Sequence, residues 1–318
     1  MRVRSAVLPQ ISLGMPVYNG ATYLRSTLDA ILAQTFTNFE LIISDNASTD
    51  ETAEICRAYA TRDQRIRFYR NEKNMGASWN FNRVYSLSRA PYFKQVAHDD
   101  LCEPTFLQRC FDVLESDPSV VMAYPRTILI DGQGNEIERF VGTLDLRESQ
   151  PHQRFQHFHH VFGDWSICHP IFGVMRVAPV RNRDILPRYI ASDMVFLAEL
   201  SLHGKIVEVP EFLFKLRWHA GASTVANKSY DTRALWFDPN LAGSMAIPAT
   251  RYRWLYEYLK MSASVPGLTP YQRLRCFQQM PRWIYRNRTK LAGDAFTMAS
   301  ILAARLRLQF VLQTGKAR

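Results

Sequence analysis

"FELIISDNASTDET", residues 39–52, holds an apolar run that stops at a serine and an aspartate, a small polar turn, and the start of an amphipathic stretch. A short apolar run closed by turn residues and followed by helical periodicity reads as a buried strand feeding a helix. Ser48 and Glu51 stand at capping-box spacing and are expected to start the helix over 50–61. Asp45 is left at the strand end. The unit recurs on both sides. "ISLGMPVY" (11–18), "RIRFYRN" (65–71), "YFKQVAHD" (92–99) and "VVMAYPRTILID" (120–131) are further strand candidates, and residues 20–34, 76–89 and 104–116 have helical periodicity, the last entered at Pro104. Strands alternating with crossover helices predict an α/β fold, an open, Rossmann-like, mostly parallel sheet flanked by helices.

Ligands of such sheets sit beyond the carboxyl ends of the strands. Here those ends are "PVYNG" (16–20), "SDNAST" (44–49), "NEKNMG" (71–76) and "AHDD" (97–100), all polar. No G-x-G-x-x-G follows the first strand and there is no P-loop, which argues against a dinucleotide dehydrogenase or a P-loop enzyme. A carboxylate at Asp45 suits the imino N–H of a pyrimidine base. "NMGASWNFN" offers Asn74, Gly76, Asn80 and Asn82 around a turn where glycine can take a positive φ and backbone N–H groups can meet an anion. Asp99 and Asp100 have two readings. Either one caps the helix that follows, or they hold Mg or Mn, hard cations that accept carboxylate oxygens and leave room for substrate phosphates.

The series "PVYNG", "LIISDNASTDET", "NMGASWNFN" and "AHDDLCEPTFL", in that order and spacing, resembles the nucleotide-binding half of the family 2 glycosyltransferases of the GT-A fold, strongly over about 10–130 and more weakly to about 225. The resemblance implies that Pro16, Tyr18 and Asn19 line a base pocket and that Asp45 binds a uracil-like edge. "HDD" would occupy the D-x-D position, with His98 at its first place, Asp99 near the ribose or sugar, and Asp100 the direct metal ligand. It also implies a general base at the start of a later helix. "YIASDMVFLAEL" (189–200) matches, with Ser192 where a glutamate is usual and Asp193 as the base; the bland alternative makes Ser192 or Asp193 a helix N-cap. Glu199 is the weaker candidate. In "FKLRWHAGAST" (214–224), His219 is expected to close over the diphosphate or metal, with Arg217 as a phosphate partner. Trp165 and His169 of "WSICHPIFGVMR" are either acceptor contacts or core residues. "HQRFQHFHH" (152–160) reads as an acceptor-side loop rather than a transition-metal site.

The 318 residues are 47% hydrophobic, with a net charge of +10. That charge is local. Residues 251–318 carry 13 Lys/Arg against only Glu257 and Asp294, a net +11, while the first 250 carry 26 basic and 27 acidic residues. No nucleic-acid-binding motif accompanies the basic tail, so nucleic acid is not expected as a partner. The tail's basic, aromatic, amphipathic stretches either lie on an anionic membrane or pack as a helical subdomain. Five cysteines without C-x-x-C spacing, no apolar leader and no spanning stretch point to the cytoplasm, or to the inner face of the membrane. The expected organisation is a catalytic domain over 1–225, divided at 130 into nucleotide-sugar and acceptor halves, and a basic helical region over 226–318. The absence of a processive Q-x-x-R-W signature favours transfer of one sugar. The function so implied is metal-dependent inverting transfer from a nucleotide sugar, expected to be a UDP-sugar, to a hydroxyl of a cell-envelope glycan or lipid-linked acceptor. A dTDP-rhamnose donor presents the same base edge, and a nucleotide-sugar-binding assembly subunit without transfer is the rival from a different class.

Overall fold

Each apolar run becomes a strand whose alternate residues bury on opposite faces. Leu41 and Ile43 enter the core under one set of helices, and Ile42 between them enters the core under the other. The computed structural model describes residues 8–142, 144–161, 165–227, 229–241 and 249–314. In chain order the elements are β1 (Ile11–Val17), α1 (Ala21–Leu32), β2 (Phe39–Asp45), α2 (Thr52–Arg62), β3 (Ile66–Arg70), α3 (Ala77–Ser86), β4 (Tyr92–Gln95), β5 (Leu101–Cys102), α4 (Phe106–Ser116), β6 (Val120–Ile130), β7 (Glu136–Phe140), α5 (Pro151–Val161), β8 (Val174–Arg176), α6 (Ser192–His203), β9 (Lys205–Arg217), α7 (Ser223–Ala226), α8 (Tyr230–Phe237), α9 (Thr250–Ser264), α10 (Pro270–Phe277) and α11 (Met280–Thr314).

The nine strands form one sheet, β3-β2-β1-β4-β8-β6-β9-β5, with β7 paired to β6. The first four strands are parallel, as the alternation of runs predicts; β8 is antiparallel to both neighbours and β6 and β9 are parallel to each other. The order reverses at β1, so the loops after β1 and β4 open side by side, the topological switch point where ligands bind. Gly14 makes the sheet face passable at its centre, since a Cβ there would lie 2.6 Å from the Phe93 ring.

Two local readings change, and the tail is helical as expected. The strand over 92–99 ends at Gln95, which frees Val96–Asp99 to form the loop. Residues 152–160 are not a loop but most of helix α5; its buried stripe is His152, Phe155, Phe158 and His159, whose helical spacing the histidines disguised. The tail is helical, and Trp254, Tyr258, Met261, Cys276 and Trp283 share one core with Phe155 of α5 and Leu197 of α6. Among the described residues no helix is long and apolar enough to cross a membrane.

His159 sits edge-on to Phe155, Phe158 and Tyr258, with centroids 4.4, 5.3 and 4.7 Å away. Burial, with smaller contributions from His160 and Arg286, pushes its pKa down to about 3. The unfolded chain therefore binds a proton at this residue below about pH 6.5 that the folded chain refuses. Stability from this residue is whole above pH 6.5 and falls as pH drops toward 3. Chemical denaturation between pH 7 and 5 should show His159→Leu losing about 2 kcal/mol less than the parent chain over that interval.

Candidate functional site at the strand ends

The first two strand-end loops are stitched together by backbone donors. Asn19 takes φ +50, a conformation asparagine tolerates. Its N–H donates to Ser48 Oγ at 2.9 Å, and its Oδ1 accepts from the Thr49 N–H at 2.9 Å. Ser48 is thus occupied across the crevice and does not cap α2, whose N-cap is Glu51 without any side-chain bond. Helix starts are served instead by Asp50, which accepts from the N–H of Ala21 in α1 and of Thr52 in α2, both at 3.1 Å.

Asp45 is fully buried beneath this junction. Its Oδ1 accepts from the Ser48 N–H at 2.9 Å. Its Oδ2 lies 3.2 Å from Arg70 Nε, in ion-pair range, yet receives no hydrogen bond from it or from any other described residue. This buried acceptor oxygen therefore has the Arg70 ion pair but no hydrogen-bond donor at the strand end. Pro16 is buried in β1 opposite Ser44, whereas Tyr18 stands exposed at the loop mouth.

Asn46 organises the third loop. Its amide donates to Asn74 Oδ1 at 2.8 Å, and its Oδ1 accepts from the Met75 N–H and from Asn71 Nδ2, both at 2.9 Å. Asn74 also accepts from the Gly76 N–H at 2.8 Å. Gly76 has φ +85, and a Cβ there would meet the Phe237 carbonyl oxygen at 2.5 Å. Asn80 is buried and pins α3 to β2 by exchanging bonds with Ser44. Asn82 and Ser78 both donate to the Leu186 carbonyl.

In the fourth loop neither aspartate caps a helix, because α4 starts only at Phe106 after an N-cap, Thr105, that makes no side-chain bond. Asp100 Oδ1 accepts from the Arg217 N–H at 2.8 Å. Burial raises the Asp100 pKa well above the usual carboxylate range, and the neighbouring Asp99 charge raises it further. Asp99 Oδ2 lies 3.0 Å from His219 Nε2, and both side chains are 15% exposed, open enough to share an ion. Arg217 braces rather than reaches out: Nε donates to the Asp99 carbonyl and Nη1 to the Asp131 and Gly132 carbonyls, over the Tyr23 ring. His98 packs on Gly20, where a Cβ would lie 2.5 Å from its ring.

The Asp193 segment reaches the donor side through Leu186 and is held from behind by the tail. Ala191 takes the left-handed conformation, φ +54, as the N-cap of α6, so neither Ser192 nor Asp193 fills that position. Trp254 Nε1 donates to the Ile190 carbonyl at 3.1 Å, and Arg253 lies over the Tyr189 ring at 5.0 Å. Asp193 is half-buried and Oδ1 accepts from the adjacent Met194 N–H. Glu199 is engaged by Arg183 at 2.7 Å. His169 is buried edge-on to Phe140. Trp165 lies in the 3-10 helix Trp165–Phe172, and its side chain is outside the described residues. Arg70, Tyr23 and Trp254 were missed. Of these only Arg70 carried a signal, as the last residue of a strand whose neighbour ends in an aspartate.

The profile described as "Glycosyl transferase family 2" matches residues 12–183, more than half the chain. Among curated proteins, chondroitin synthase of Escherichia coli is 33% identical over 139 residues, 43% of this chain and 20% of that protein. Glycosyltransferase GlyG of Streptococcus pneumoniae is 34% identical over 113 residues, 35% of this chain and 38% of that protein. The chain thus spans less than half the length of either. The crystal structure of S. aureus TarS 1–349 in complex with UDP-GlcNAc superposes with a TM-score of 0.55 at 14% identity, covering 93% of this chain and 92% of that one. At that identity the likeness shows a shared fold.

Substituting Gly76 tests the turn directly. Alanine pays the positive-φ cost and displaces the Phe237 carbonyl, so Gly76→Ala should lower the unfolding free energy by at least about 1 kcal/mol in urea titration. Gly293→Ala, where an added Cβ meets nothing within 4 Å, should not.

Proposed function

The chain belongs to glycosyl transferase family 2, and from that premise we propose that it transfers one sugar, with inversion, from a UDP-sugar to a hydroxyl of a cell-envelope glycan or glycolipid. The observation that carries the donor reading is Oδ2 of buried Asp45, a strand-end acceptor that has an ion pair with Arg70 but no hydrogen-bond donor, a place a pyrimidine N–H would fill. UDP in the TarS complexes and the likeness to a chondroitin synthase support the donor and a glycan acceptor. The catalytic unit is residues 1–225, with donor contacts in 1–130, and residues 226–318 support it.

Asp45 and Asn19 set the base, with Tyr18 at the mouth and the Asn74–Gly76 turn toward the ribose and phosphates. Asp99 and His219 suit a hard divalent ion, because a partly exposed carboxylate and an imidazole 3.0 Å apart leave most ligand positions to diphosphate oxygens and water. Asp100 would join them through the oxygen not used by the Arg217 N–H. When bound, such an ion supplies charge neutralisation to the departing diphosphate. Among the described residues no group of three His, Cys, Asp or Glu side chains forms a self-sufficient metal cage. Asp193 takes the acceptor proton while the acceptor oxygen bonds to the anomeric carbon and the diphosphate leaves with the electron pair.

A thermal-shift screen of UDP-, dTDP- and GDP-sugars with Mn should single out UDP-sugars; a response confined to dTDP-sugars would replace the donor, and none at all would end the donor reading. With the active donor, Asp193→Asn should cut turnover at least about a hundredfold while leaving UDP affinity intact. Equal turnover by the parent chain and Asp193→Asn would remove Asp193 as the base, whereas donor binding without any turnover by the parent chain would favour a binding subunit. Asp45→Ala should weaken UDP binding about tenfold in calorimetry, and Asp99→Asn should remove stimulation by Mn.

A further inference from the structure

Helix α11 has two apolar faces. Trp283, Asn287 and Leu291 are buried along one side, four residues apart, against the rest of the tail. Tyr285 and Phe296 stand on the opposite side, 66% and 76% exposed. Eleven residues at about 3.6 per turn is three turns, so these two rings lie on one line. Ile284 and Leu302 are also exposed but lie roughly 110° round the helix from that line, on the side next to Leu291. Arg288 lies along the axis between the two rings and beside their line, with its guanidinium 4.3 Å from the Tyr285 ring centre.

Charge decides what covers this face. The only two carboxylates after residue 250 are turned inward: Glu257 pairs with Arg253 at 2.7 Å, and Asp294 accepts from the Arg251 N–H at 2.9 Å. Arg282 and Arg286 are tied to His160 Nε2 and to the carbonyls of His159 and His160, so they also hold α11 rigidly on α5. A rigid helix that presents aromatic rings in a field of cations, with no outward carboxylate among the described residues, matches an anionic surface with an apolar interior. A second copy of this chain would bring like charge against like. We propose that the outer face of α11, centred on Tyr285, Arg288 and Phe296, docks on anionic phospholipid bilayers, with the rings entering the headgroup region and the cations meeting lipid phosphates. This stands apart from the glycosyl-transfer reading, because its readout is binding to lipid.

The full chain is mixed with phosphatidylcholine vesicles, with or without about one-third phosphatidylglycerol, and floated on a density gradient. It should float with the anionic vesicles, release as salt shortens the Debye length, and stay behind with phosphatidylcholine alone. Tyr285→Ser/Phe296→Ser and Arg288→Glu should each reduce the bound fraction, the charge reversal by roughly fivefold or more. Every substituted side chain is solvent-exposed, so circular dichroism and melting temperature should match the parent. Failure of the folded parent to bind anionic vesicles overturns the proposal, as does equal binding to both lipids. Light scattering supplies a further check: a dimer that Phe296→Ser makes monomeric, without vesicle binding by the parent, assigns the face to self-association and overturns the proposal too.

Discussion

The hydrogen bond from the Arg217 backbone to Asp100 joins residues 117 apart in sequence and closes the site. It brings the last residue of β9 against the loop after β4, and His219, two residues on, arrives beside Asp99. The guanidinium of the same arginine also donates to the Asp99, Asp131 and Gly132 carbonyls, tying the HDD loop to the turn after β6. Burying a carboxylate such as Asp100 costs free energy unless donors reach it. Here one backbone N–H does so, and the remaining cost appears as the upward displacement of its pKa. An acid pair is thereby held at the crevice floor by a distant strand rather than by its own loop.

The other three loops follow a related logic. Their polar side chains mostly bond to backbone groups of a neighbouring loop, as Asn19 does with Ser48 and Thr49, and Asn46 with Met75 and Gly76. Such bonds leave little freedom for the loops to rearrange one at a time. The crevice is consequently preorganised, and Asp45 Oδ2, held by its ion pair with Arg70, is a buried acceptor there whose hydrogen-bond position is unfilled. Around Asp193 the order is supplied by tertiary packing, with the Trp254–Ile190 bond and the Tyr189–Arg253 contact holding the approach to the left-handed Ala191.

The parallel half of the sheet was legible because its signal is local: period-two burial in β1 and β2 and turn residues after each strand. The polar strand ends were legible for the same reason. Capping was misread at Ser48 because the spacing of a capping box says nothing about a competing donor from a loop far away in sequence, and there the Asn19 N–H won. Helix α5 was taken for a loop since four histidines made a buried stripe look polar. Arg217 looked like a phosphate partner because its backbone role depends on β9 reaching the HDD loop, a pairing with no local signature.

Strand β5 is only Leu101–Cys102, and its ladder partner is Phe214–Lys215 of β9. Two residues cannot sustain a strand alone. In folding, the segment carrying the acid pair can settle on α1 through Thr27 and Gln34, but it has no strand partner until β9 has been made and has docked along β6. Loop closure over such a span is slow compared with local helix and turn formation. The strand-end crevice, although its motifs lie in the first hundred residues, is completed late, and a nascent chain shorter than about residue 217 carries the motifs without the finished crevice.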